Sequence, residues 1–89
     1  MFRKAAGFTA QYHYLTLVVA PDFDEWRIWL QGSGVTINGG RQFSEAKAKE
    51  QARLIADTYI HAEKKEGLPT LPEVDWVPID PETWLNFHP

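Results

Sequence analysis

The chain has 89 residues, enough for one small domain. Hydrophobic residues make up 44% and charged residues 24%, an ordinary globular balance that excludes collagen-like, low-complexity and disordered classes. Cysteine is absent and the formal net charge is −3, so disulfides, thiolate metal sites and cysteine nucleophiles are excluded.

Arg3 and Lys4 resemble the charged start of a signal peptide, but Tyr12, His13 and Tyr14 interrupt any apolar region after them. No apolar run approaches the ~18 residues of a membrane span, and a cytoplasmic protein is expected. Residues 12–20, rich in aromatic and β-branched types and ending at Pro21, read as a first strand. Asp22-Phe23-Asp24 is a turn. Glu25 to Gln31 alternates as a second strand, with Trp26, Ile28 and Leu30 on one side and Arg27, Trp29 and Gln31 on the other. Gly32-Ser33-Gly34 turns the chain into a short strand, Val35 to Ile37, which Asn38-Gly39-Gly40 should break.

The period then changes from two to 3.6. Ser44 suits an N-cap, Phe43 and Ala48 occupy the positions of a hydrophobic staple, and Glu45 with Lys49 forms an i,i+4 pair. Ala48, Ala52, Ile55, Tyr59 and Ala62 mark an apolar stripe flanked by Ala56 and Ile60. Lys64 and Lys65 suit the C-terminal end of the dipole, and Gly67 with Pro69 stops a helix over 45–65. In the tail, Pro72 and Pro78 favour extended chain. Val74 to Val77 is a candidate edge strand, and Asp80-Pro81 opens a final helical turn.

The expected fold is therefore α+β: a three-stranded antiparallel meander with one long helix on one face and an extended Pro- and Trp-containing tail. Residues 1–67 form the β-β-β-α domain, and 68–89 are a C-terminal extension packed on it. Leu15, Leu17, Val19, Trp26, Ile28, Leu30, Val35 and Ile37 should lie beneath the helix. Tyr12, Tyr14, Val18 and Trp29 should lie on the opposite face, an apolar patch that requires a cover. Charge divides unevenly, because Glu73, Asp75, Asp80 and Glu82 leave residues 68–89 at −4 with no Lys or Arg. An acidic tail disfavours nucleic acid as a direct partner and suits a basic protein surface.

Enzyme patterns are thin. His13, His61 and His88 have no ligand spacing among them, and Asp57 with His61 reads as a surface pair on one helix face. Asp22, Asp24 and Glu25 do not match a calcium loop, and the glycine turns fit neither a dinucleotide fingerprint nor a P-loop. No metal or cofactor is expected. Aromatics on a sheet face, with Arg27 between Trp26 and Trp29, could also stack unpaired bases, although the RNP pattern is missing.

The runs Gly34-Val35-Thr36-Ile37-Asn38-Gly39, Phe43-Ser44-Glu45-Ala46, Ala52 to Ile60 and Gly67-Leu68-Pro69-Thr70-Leu71-Pro72-Glu73 together resemble the HicB-type antitoxin domain. The resemblance covers residues 12–74. It implies a degraded RNase H-like α+β domain that masks a small basic RNA-cleaving toxin. Members generally append a ribbon-helix-helix or helix-turn-helix module, for which the residues after Pro72 are too few.

The function expected from these observations is a non-enzymatic interaction module that binds a protein partner, such as a small basic toxin, or a second copy of itself. Tyr12, Tyr14, Arg27, Trp29, Trp76 and Trp84 are the candidate contact residues. Alternatively, Trp76 and Trp84 fold back to complete the core. A single-stranded nucleic-acid binder using the same aromatics is the second reading, and a small hydrolase or metal enzyme the third.

Overall fold

A computed structural model describes residues 7–32, 34–64 and 66–80. Five antiparallel strands form one sheet: β1 (Gly7–Tyr12), β2 (Leu15–Asp22), β3 (Glu25–Gly32), β4 (Val35–Gln42) and β5 (Val77–Ile79). Their spatial order is β4-β3-β2-β1-β5. Helix α1 (Glu45–Thr58) lies across one face and ends in a π-helical turn, Tyr59–Glu63. Among the described residues, the α+β class and the single helix agree with the sequence reading. The strand count does not.

The first expected strand is in fact the end of one strand, a turn and the start of another. His13 and Tyr14 form that turn, with His13 at φ 55°, so β1 folds back on β2 with Tyr12 directly opposite Leu15. Opposed residues share a face, whereas positions 12 and 15 of one continuous strand would point to opposite faces. Tyr12 therefore points toward α1 and is fully buried there, not on the reverse of the sheet.

The third strand is also longer than expected. Asn38-Gly39-Gly40 does not break β4 but forms a bulge opposite Ile28 and Trp29, with Gly40 at φ 85°. Gly39 sits where a Cβ would lie 2.6 Å from Ile28 Cγ2 and 3.0 Å from Ile55 Cδ1. Its bare backbone is thus what lets the sheet and α1 approach at this point. The tail strand falls at Val77–Ile79 rather than 74–77. It pairs with β1 at the sheet edge, where the missing amide of Pro78 is tolerated. The expected helical turn after Asp80 lies outside the described residues.

Helix α1 starts where the sequence places it. The Ser44 hydroxyl accepts from the Lys47 amide at 3.1 Å, and Lys49 pairs with Glu45 at 2.8 Å. Phe43, however, is 79% exposed rather than closed down as a staple. The buried stripe is Ala48, Ala52 and Ala56, continued by Tyr59 and Ile60, while Ala62 faces solvent. Methyl-sized side chains bring α1 close to Leu15, Leu17, Val19, Ile28 and Leu30, all fully buried beneath it. Each such Leu or Ile contributes about 1.5–3 kcal/mol relative to exposure. Trp26, Val35 and Ile37 close the margin of this core, joined by Leu68, Leu71, Val74 and Trp76 from the tail.

Candidate functional site

Among the described residues the sequence-predicted contact residues do not form one surface: Arg27 and Trp29 meet, but Tyr12 lies on the other side of the sheet. Tyr12 is inside the main core. Tyr14, 40% exposed, sits in the β1–β2 turn and donates its hydroxyl proton to Glu66. That bond to a carboxylate pushes the Tyr14 phenol up to about 12. Trp29 does lie on the face away from α1, where Val18 and Ala20 join it in a second cluster packed by Ile79. The indole is only 1% exposed, and the Arg27 guanidinium lies 5.0 Å from its ring centroid. Of the patch expected to need a partner, Val18 and Trp29 are thus buried within the chain.

Trp76 belongs to the main core margin. Beside it the Lys49 ammonium stands 3.6 Å from the Phe8 ring centroid and 5.8 Å from that of Trp76. A groove of about 240 Å³ runs between α1 and residues 72–76, lined by Lys49, Glu50, Arg53, Val74 and Trp76. This is below the ~300–1,000 Å³ usual for ligand pockets. Trp84 lies outside the described residues. Among the described residues no group of three His, Asp or Glu is placed to hold a metal, and no helix is long and apolar enough to cross a membrane.

The exposed aromatic surface lies elsewhere, at the end of the sheet where β2 turns into β3. Phe23 occupies the first position of that two-residue turn, is 100% exposed and has φ 61°. Left-handed backbone is ordinarily the place of Gly, Asn or Asp, and costs a residue with a Cβ about 1–2 kcal/mol. The strain at His13, in the equivalent turn, is compensated because His13 Nε2 reaches the Pro69 carbonyl at 2.7 Å. Phe23, wholly in solvent, makes no packing contact that would offset its own.

The register places Phe43 at the same end, because Gln42 pairs with Trp26 next to the β2–β3 turn. Below the tip, Asp22 faces Arg27 at 3.9 Å and Arg41 at 3.8 Å, and Glu25 faces Arg41 at 3.0 Å. Exposed pairs of this kind contribute at most about 1 kcal/mol each. They balance one another, so the adjoining exposed Asp24 gives the tip a negative bias. In sequence, Asp22-Phe23-Asp24 was legible as a turn. The signal missed was an aromatic at a turn position that a small or polar residue should fill.

A third set of side chains joins the tail to the body. Tyr12, Asp57 and His61 form a chain of hydrogen bonds, with Tyr12 donating to Asp57 Oδ1 at 2.5 Å and His61 Nδ1 standing 2.8 Å from the same oxygen. The Tyr12 hydrogen bond foremost, with others from Thr70 and His61, holds Asp57 below the usual carboxylate range. Burial and the bond to Asp57 push the Tyr12 phenol up.

The frame is thus an antiparallel sheet sealed by its own helix on one side, with an acidic, aromatic hairpin tip left bare. Comparison with protein-family models, curated proteins and solved structures finds no match.

Proposed function

We propose that this chain is a non-enzymatic, cytoplasmic protein-interaction module whose contact is the β2–β3 tip, with Phe23 as the anchor and Phe43 at the same end of the sheet. The observation that carries this reading is a bulky ring held in a strained turn with no packing inside the chain. Backbone strain of this kind persists where something other than stability maintains it. Aromatic anchors entering a partner's pocket dominate many protein interfaces. The partner is a different protein with an apolar pocket and basic surroundings, because Asp24 and the overall charge of −3 set two copies against each other. The motif resemblance to HicB-type antitoxin domains supports the same partner class, a small basic protein. Stacking of nucleic acid is less favoured, since the sheet-face indole of Trp29 is buried.

The test places a photoreactive benzoylphenylalanine at position 23 in cells and identifies the crosslinked protein. That protein is then purified, and its affinity for the unmodified chain and for Phe23→Ser is measured. A basic protein bound about thirtyfold more weakly by Phe23→Ser is expected, the loss typical of an interface anchor. Equal affinities, or a preference of the tip for RNA oligomers or lipid vesicles, would overturn the reading.

A further inference from the structure

Residues 66–76 cross from the π-helical turn to β5 as an extended strap, which four side chains of the body fasten by its backbone. His61 Nε2 lies 2.5 Å from the Leu68 carbonyl and His13 Nε2 lies 2.7 Å from that of Pro69. Arg53 Nη1 donates to the Leu71 carbonyl at 3.2 Å, and the Leu71 amide donates to the Tyr12 hydroxyl at 2.9 Å.

The His61 geometry is unusual in one respect: both ring nitrogens face groups that only accept. Nε2 faces the Leu68 carbonyl, while Nδ1 faces the Asp57 carboxylate at 2.8 Å and the Asp57 carbonyl at 3.1 Å. A neutral imidazole carries one N–H, so one nitrogen would present a lone pair to an oxygen. The cation donates on both sides.

We propose that the strap is a proton-dependent fastening, locked onto α1 when His61 is protonated and loosened when it is neutral. Asp57 on the same helix, with Arg53 one turn before it, is the nearest charge. Tyr12 faces the cluster from β1 and His13 approaches from the β1–β2 turn. The strap itself brings no titratable side chain between Gly67 and Pro72. The Leu68 carbonyl foremost, and the Asp57 carboxylate with it, raise the His61 pKa above its ordinary value. A raised pKa in the closed state means the lock is complete below ~6.5 and is lost as pH rises through the higher value. Loosening draws Leu68 and Leu71 away from the main core and frees the segment leading to β5. The sheet and α1 keep their own packing, so the event is a local opening.

Two nuclear magnetic resonance measurements on the unaltered chain test this between about pH 5 and 8. One follows the His61 ring signals to obtain its pKa. The other follows exchange protection of the Leu71 and Val77 amides, corrected for intrinsic rates, with Leu17 as an internal reference. Leu71 and Val77 protection should fall about tenfold for each unit by which the His61 pKa exceeds ~6.5, with Leu17 unchanged. In His61→Gln the fall should vanish. Strap protection that stays flat while His61 titrates, a His61 pKa at or below ~6.5, or a fall that persists in His61→Gln would each overturn the proposal.

Discussion

Tyr12 and Leu71 stand 59 positions apart in the chain, yet the Leu71 amide donates to the Tyr12 hydroxyl at 2.9 Å. The same hydroxyl donates to Asp57, so one phenol joins β1, α1 and the strap. Tyr12→Phe leaves the Leu71 amide without its acceptor and should cost about 1–3 kcal/mol by urea denaturation. The Asp57 pKa should rise in the same variant, because its largest stabilising hydrogen bond is gone.

Gly39 and Gly34 should respond differently to substitution. At Gly39 a Cβ meets Ile28 at 2.6 and 2.9 Å, whereas Gly34 has open space around it but φ 74°. Gly39→Ala should lose about 1–3 kcal/mol through overpacking. Gly34→Ala should lose about 1–2 kcal/mol through backbone strain. Asn, which tolerates left-handed backbone, should restore much of the loss at position 34 and none at position 39. Denaturation midpoints of the four variants decide the point.

Asp57 and Tyr14 tie stability to pH in opposite senses. Asp57 has its folded pKa lowered, so its contribution is present above ~3.9 and is lost as pH falls through the lower folded value. Asp57→Asn should flatten that acid step. Tyr14 has the opposite sense: its phenol is raised to about 12 by Glu66, so its contribution is intact below the free value and is lost as pH rises through about 12. Ultraviolet titration of the phenols should show late ionisation from both Tyr12 and Tyr14, of which one component disappears in Tyr14→Phe and moves down in Glu66→Gln.

The central hairpin and the helix were legible because each carries a strong local signal. Trp26, Ile28 and Leu30 alternate without interruption, and Ser44 caps a run whose alanines recur at helical spacing. The turn at His13-Tyr14 was hidden because neither residue is a turn former. The alternation on either side reads as one strand, and the bond from His13 to Pro69 that holds the turn is made far along the chain. Missing that turn reversed the face assigned to Tyr12. The sealing of Trp29 was equally hidden, because Ile79, which packs its cluster, is distant in sequence.

In the proposed function, the Phe23 ring serves a contact and not the fold. The direct measurement is the unfolding free energy of Phe23→Asn against the unaltered chain, with each chain's affinity for the crosslinked partner measured alongside. Asn relieves the left-handed strain, so a gain of about 1 kcal/mol in stability together with weakened binding is expected. A variant that is less stable and binds as tightly would contradict the account.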